Sequence, residues 1–257
     1  MPHRTKMMRV NLLRSFAMCI LLVSAVSCAK NKAYLVSSAN KNINISDDYG
    51  KADTEILKII APYKAELDGQ MDEQIGTLTG KMDKEKPNSP LLNFMGDALL
   101  DIARKKYPQK NIDGAVMNYG GIRVNSMQKG DLTVRKIFEL MPFDNTMVLV
   151  EMDSIMVRKL YDRIAEYGGW PMSHGMSFDL ADDKAMNGLG NNLPIQSKNN
   201  WLFAIPNYIA EGGDNCTFLL DAPKEDTGLL IRDILIEYVR DVKQIIPDTT
   251  HRINVKG

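Results

Sequence analysis

Histidine and cysteine are scarce in this sequence, three of each in 257 residues, and there is no excess of either charge. A two-metal hydrolytic centre draws several histidines together with Asp and Asn ligands. His3, His174 and His251 stand far apart, and none has a His or Cys neighbour at ligand spacing. That argues against a complete dinuclear site in this chain and leaves carboxylate-only binding of Mg²⁺ or Ca²⁺ open. Cysteine-rich metal sites and disulfide frameworks are excluded by the count of Cys19, Cys28 and Cys216. Cys216 reads as a small packed side chain rather than a nucleophile. Also missing are a Walker loop, a GxGxxG turn after a strand, and a GxSxG elbow.

What is present begins with a processing signal. Arg4, Lys6, Arg9 and Arg14 precede an apolar stretch from about Phe16 to Val26, followed by small residues and Cys28. This pattern reads as a secretory signal over 1–27; a buried apolar helix is the competing reading, disfavoured by the basic flank and the lack of acids. The end of the stretch, "SAVSC", resembles the bacterial lipobox, which implies lipidation at Cys28 and a lipid-anchored place in the cell envelope. Cleavage there would leave four fewer than the 32 basic residues against 32 acidic ones, a net charge near −4. Such a balance argues against a partner gripped through a nucleic-acid backbone. Residues 28–52 are polar and rich in Asn, Ser and Lys, and read as a flexible tether.

From Asp53 the pattern changes to apolar residues at helical spacing: Ile56, Leu57, Ile59 and Ile60 behind an Asp-Thr cap. A second helix is expected from Ser89-Pro90, with Leu91, Leu92, Met95, Leu99 and Ile102 on one stripe. "TMVLVEM" is the clearest strand, and "DSIMVRKLYDRIAEYGG" is a helix with an Asp start and a double-glycine stop. Further strands are expected at "EQIGTLTG", "GAVMN", "MSFDLAD", "WLFAIPNYI", "CTFLL" and "HRINVK", with a turn at Asn187-Gly188. A short helix at "TVRKIFEL" and a last one at "DTGLLIRDILIEYVRDVKQI" complete the pattern. The expected fold class is α/β (α+β-like), one domain over 53–257 with a mixed β-sheet and packed helices.

Three loop signatures carry candidate chemistry. "NYGGIR" offers bare backbone amides at Gly120 and Gly121 beside Arg123, whose guanidinium fork suits a carboxylate or phosphate. "MPFDNT" places Phe143 and Asn145 just before the best strand, and "NYIAEGGDN" places Tyr208 six residues before Asp214. Two loop-borne rings can sandwich a planar base, while Asn or Asp bonds its edge or a ribose. Taken singly, each has an ordinary reading: Arg123 a surface salt bridge, Phe143 and Tyr208 core packing, Asp214 an Asx turn.

In this order, and preceded by "LLNFMGDALLDIA", the signatures resemble the C-terminal domain of the 5′-nucleotidase family, from about Glu73 to the last helix. The resemblance implies a substrate-recognition domain. Arg123 matches the arginine of the glycine-rich signature and Phe143 one stacking ring. Asn145 matches the base-contacting position, Tyr208 the second ring in place of the commoner Phe, and Asp214 the ribose-binding aspartate. Gly168 lies where the family has a glycine beside the base. The family commonly has an arginine a few residues before the Asn of the "LLNFMGDAL" helix; here only Lys84 or Lys86 can stand in, without a bidentate fork. The family's metallophosphatase half, with its divalent metals, has no counterpart among these residues and is expected on a separate chain. The implied function is recognition of a nucleoside or nucleotide for a 5′-nucleotidase in nucleotide catabolism, with no catalytic residue and no metal in this chain. A stand-alone nucleoside-binding lipoprotein and a scaffold with a decayed pocket are the alternatives.

Overall fold

A computed structural model describes residues 53–256. The signal, Cys28 and the tether lie outside them.

In chain order the elements are α1 (Thr54–Met71), β1 (Gln74–Leu78), β2 (Met82–Asp83), α2 (Pro90–Lys106), β3 (Gly114–Ala115), β4 (Ser126–Met127), β5 (Gly130–Thr133), α3 (Val134–Leu140), β6 (Thr146–Met152) and α4 (Ser154–Glu166). They continue with β7 (Ser177–Ala181), β8 (Lys184–Gly190), β9 (Leu193–Pro194), β10 (Trp201–Pro206), α5 (Asn207–Ala210), β11 (Lys224–Leu230), α6 (Ile231–Val242), β12 (Gln244–Ile245) and β13 (Ile253–Val255). The class is mixed α/β as expected, with the strands divided among several small sheets.

The central sheet has the order β11-β6-β10-β3. Its chemistry is visible in β6, which is apolar at nearly every position because both faces are covered. Met147 and Leu149 point into one core, with Leu91, Met95 and Leu99 of α2 and Ile231 and Leu235 of α6. Val148, Val150 and Met152 point into the other, with Val157, Leu160 and Ile164 of α4, Trp170 and Phe203. The period-2 alternation of a strand thus feeds two cores from one run of sequence. Caps start the helices where the sequence suggests: Ser89 Oγ accepts from the Leu92 amide at 3.4 Å, and Thr133 Oγ1 from Lys136 at 3.4 Å. Asp153 Oδ1 accepts from Met156 at 2.7 Å.

Four local expectations are corrected. "CTFLL" is a 3-10 turn over Thr217–Leu219, not a strand. Cys216 and Leu219 are buried while Thr217 and Leu220 are exposed, which is a period of three. "DTGLL" belongs to β11 rather than to the last helix, since Gly228 has φ +68° and the helix begins only at Ile231. The strand from Trp201 ends at Pro206, and Asn207–Ala210 turn into α5. Asn187-Gly188 lies inside β8, where the register with β7 shifts; the chain reverses instead at Asp182-Asp183, both left-handed.

The first helix forms over Thr54–Met71 but none of its residues is buried. Buried side chains run from Ile75 to Ile253, so residues 54–257 hold both cores within one compact unit.

Candidate functional site: three loops at one end of the central sheet

Sheet topology brings the three signatures together. Strand β10 runs parallel to β3, with Ala204 beside Ala115, and antiparallel to β6, with Pro206 beside Met147. The exits of β3 and β10 and the entrance of β6 therefore lie at the same end of the sheet. "NYGGIR" leaves β3, "MPFDNT" enters β6 and "NYIAEGGDN" leaves β10. Binding loops at strand ends, on a rigid buried sheet, are a common way of placing ligand contacts.

In the first loop, Tyr119–Gly121 form one 3-10 turn, closed by the Gly121 and Ile122 amides donating to Asn118 and Tyr119 carbonyls at 3.1 and 3.3 Å. Gly120 is exposed and Gly121 buried. Arg123 is exposed and makes no ion pair among the described residues; its guanidinium lies over the Phe143 ring at 5.5 Å. The surface salt bridge is therefore not its role. Lys84 and Lys86 stand over the Tyr119 ring at 4.0 and 4.6 Å, and the Lys84 ammonium donates to the Ile122 carbonyl at 2.7 Å. Burial, with Arg123 and Lys86 nearby, lowers the Lys84 pKa. Three cations thus gather on one wall.

In the second loop, Phe143 is 37% exposed and outside both cores. Arg232, at the start of α6, holds this loop: it pairs with Asp144 at 2.9 Å, donates to the Phe143 carbonyl at 3.4 Å and stacks on Phe138 at 4.2 Å. The Asn145 carbonyl accepts from the Ile231 amide at 2.9 Å, which fixes its backbone. Asn207 Oδ1 accepts from the Thr146 amide at 3.3 Å, tying this loop to the third.

In the third loop, Tyr208 is 43% exposed on α5. Its hydroxyl donates to Asp214 Oδ1 at 3.1 Å and accepts from the Asp214 amide at 3.3 Å. Asp214 is left-handed (φ 48°), a conformation Asp accepts in turns, and its carboxylate is engaged by the Tyr208 hydroxyl. Gly213 lets the ring fold back: a Cβ there would lie 2.4 Å from the Tyr208 carbonyl oxygen and 2.6 Å from its ring. Gly168 joins the same neighbourhood, 3.7 Å from Lys86 Cδ by its notional Cβ, and Lys86 donates to the Tyr167 carbonyl.

All the sequence-derived candidates thus lie on loops at this end or on the turn that touches it. Sequence reasoning missed three residues. Asn118 is buried, with its Oδ1 unpartnered, under Gly121; it opens the same signature and could have been found there. Tyr119 and Arg232 act through tertiary contacts that no local pattern announces. Cys216 is fully buried, and burial pushes its thiol up to about 12, which removes it as a nucleophile. Among the described residues no group of three or more His, Cys, Asp or Glu side chains is placed to hold a metal.

A family model described as 5′-nucleotidase, C-terminal domain, matches residues 74–221. The chain belongs to this family. Its similarity to curated relatives is distant: 26% identity over 208 residues with the 5′-nucleotidase of Vibrio cholerae serotype O1, covering 77% of this chain and 37% of that protein. With protein UshA of Escherichia coli K12 it shares 25% over 193 residues, covering 72% and 34%. The crystal structure of the 5′-nucleotidase precursor from Thermus thermophilus superposes with a TM-score of 0.65 at 23% identity, over 77% of this chain and 42% of that one. The nucleotidase-domain chain therefore spans little more than a third of the curated relatives it matches, and the superposition establishes a shared fold.

Gly169 gives a direct test of the site's frame. It has φ +117°, and an added Cβ would sit 2.7 Å from the Pro87 carbonyl oxygen and 2.8 Å from Pro87 Cα. Gly169→Ala should destabilise the domain by about 1–3 kcal/mol through overpacking against backbone and displace Lys86 from Tyr119. Urea unfolding and an AMP titration would show both; an unchanged unfolding midpoint would contradict the close packing.

Proposed function

We propose that this chain is the substrate-recognition part of a 5′-nucleotidase system, binding a nucleoside or nucleotide while a separate metallophosphatase chain hydrolyses the phosphate ester. The observation that supports this reading is that two exposed rings, and Arg123, which makes no ion pair among the described residues, stand on segments at the same end of one sheet. Phe143 and Tyr208 supply stacking faces for the base. Asn145 and Asp214 supply polar contacts, and Asn118 holds a buried side-chain oxygen against Gly121. Arg123, with Lys84 and Lys86, attracts an anion, and the backbone at Gly120, Gly121 and Gly168 permits close approach.

In this division of labour the partner's divalent metals activate water, and this chain contributes orientation and binding energy. Cleavage at the lipobox and acylation of Cys28 would hold the domain at the envelope membrane, where extracytoplasmic nucleotides are met.

The purified chain should bind AMP or adenosine in calorimetry, with a UDP-sugar as the comparison ligand. It should release no phosphate from AMP at any Mn²⁺ or Zn²⁺ concentration. Turnover by the pure chain would refute the division of labour, and silence toward the whole panel would refute recognition.

A further inference from the structure

Helix α1 faces the wrong way for a helix that belongs to this domain alone. Helices of folded proteins are stabilised chiefly by burying an apolar face. Ile59, Ile60, Tyr63 and Leu67 recur on one face of α1, yet they are 66%, 45%, 73% and 52% exposed. Helix α1 meets the domain through its charged edge and its last residue: Arg135 of α3 binds Asp68 at 2.9 Å and, just past the helix, Asp72 at 2.8 Å, while Met71 packs on the first core. At the C-terminal end of α1 the stripe runs toward a cleft of about 610 Å³ in which Met71, Val134, Phe138 and Ile236 are mixed with charged side chains, among them the pairs Lys105–Glu237 and Arg240–Glu73. An exposed apolar stripe that continues into a cleft of mixed apolar and charged lining, an apolar centre with a polar rim, is a surface built to be covered.

We infer that the stripe of α1 and the adjoining cleft are the docking surface for the metallophosphatase chain. This inference rests on the recognition reading above. Three observations choose that occupant. The matched family domain is by description the C-terminal one, and the Vibrio relative extends well beyond the 37% matched. Its remaining length therefore precedes the domain and arrives at the end where α1 stands, immediately before the match begins at residue 74. Next, α3 links this surface to the candidate pocket: its first turn grips α1 through Arg135, and its last residue, Leu140, lies three before Phe143. Seven helical residues span only about 10 Å, so a partner seated on α1 is brought close to the stacking rings. Finally, the charge of α1 does not suit an anionic membrane. Interfacial helices carry Lys and Arg on the polar face, whereas α1 has Lys58 and Lys64 against Glu55, Glu66 and Asp68.

Ile59→Asp, Tyr63→Ser and Leu67→Asp would test the surface, singly and together, in a chain covering 53–257. These side chains are exposed, so thermal unfolding and AMP affinity should match wild type. The probes are the secreted single-domain metallophosphatases of the source organism, each immobilised in turn, with the domain in solution. At least one should bind the wild-type domain, and the triple variant should bind it at least about 30-fold more weakly, the scale of an interface hot spot. Sedimentation of the domain alone should show a monomer, and vesicles of phosphatidylglycerol and phosphatidylethanolamine should not retain it.

A stripe-dependent dimer, or stripe-dependent vesicle binding, would overturn the inference in favour of a second copy or a membrane. So would equal partner binding by wild type and triple variant, or no binding by any metallophosphatase. In each case an intact AMP titration leaves the recognition reading standing, whereas loss of AMP binding in the wild-type domain removes that reading by itself.

Discussion

The double variant Phe143→Ala/Tyr208→Ala is expected to bind AMP between roughly 30-fold and 20,000-fold more weakly than wild type. Base stacking on an aromatic side chain is worth about 1–3 kcal/mol, so two rings contribute about 2–6 kcal/mol. Each single variant should lose roughly five- to a hundred-fold. If both rings grip the same base, the two losses will not add, and a double-mutant cycle measures the coupling. Stability should change little, because both rings stand outside the cores. Tyr208→Phe separates stacking from the Asp214 contact: it keeps the face and removes the hydroxyl that donates to Asp214 at 3.1 Å. A loss of less than about threefold in the double variant would return both rings to a packing role.

The double variant also tests why these residues are legible at all. Phe143 after a proline and Tyr208 near a strand end are each ordinary in isolation, and the same holds for Arg123 after Gly-Gly. Only their order along the chain distinguishes them. The structure supplies the physical reason the order matters: β3 and β10 are parallel and β6 antiparallel, so three loops separated in sequence meet at one end. Asn118 is within reach of a sequence reading as the first residue of its signature, but that its side-chain oxygen is buried without a partner among the described residues is a property of packing. Arg232 is hidden because its partners, Asp144 and Phe138, are about ninety residues away.

The fold is legible where one pattern has one solution. "TMVLVEM" is rich in β-branched residues and bounded by turns, and Ser89, Thr133 and Asp153 mark helix starts with side chains that do accept amide protons. It is ambiguous where short segments satisfy two patterns. "CTFLL" is apolar enough for a strand, but the left-handed pair Asp214-Asn215 just before it feeds a tight 3-10 turn instead. The stripe of α1 illustrates a different limit. An apolar face at helical spacing has the same signature whether it packs on its own domain or on another chain, and only the exposure of Ile59 and Tyr63 separates the two.

Arg252→Ala should be the most destabilising single change, at about 3–5 kcal/mol, because it strips the countercharge from two carboxylates. Arg252 is 5% exposed and binds Asp97 through both oxygens, at 2.8 and 2.7 Å, and Asp248 at 2.9 Å, and also donates to the Met172 carbonyl. Asp97 is on α2 and its Oδ1 also accepts the His174 amide at 2.6 Å. One guanidinium therefore ties α2, the 172–174 segment and the approach to β13, next to the place where Gly96 lies against the Met172 backbone. For a domain whose total stability is about 5–15 kcal/mol, the loss approaches unfolding. Arg252→Lys should recover only part of it, since an ammonium cannot span both Asp97 oxygens. Removing the orphaned charges as well, in Arg252→Met/Asp97→Asn/Asp248→Asn, should restore more than Arg252→Lys does. The pH dependence follows from Asp248. Burial alone would raise its carboxyl, but hydrogen bonds from Thr250 and Arg252 outweigh it and hold the pKa below the ordinary value. A depressed folded-state pKa contributes stability that is present at neutral pH and is lost as pH falls through that pKa. In Arg252→Ala the share of this depression that Arg252 supplies is lost while the Thr250 hydrogen bonds remain, so wild type gives up more stability than the variant as Asp248 is protonated. The stability gap between wild type and variant should therefore narrow as pH falls below about 4, the ordinary aspartate value, in urea unfolding. A gap under about 1 kcal/mol at pH 7, in the range of an exposed pair, would show that water, and not Arg252, satisfies these carboxylates.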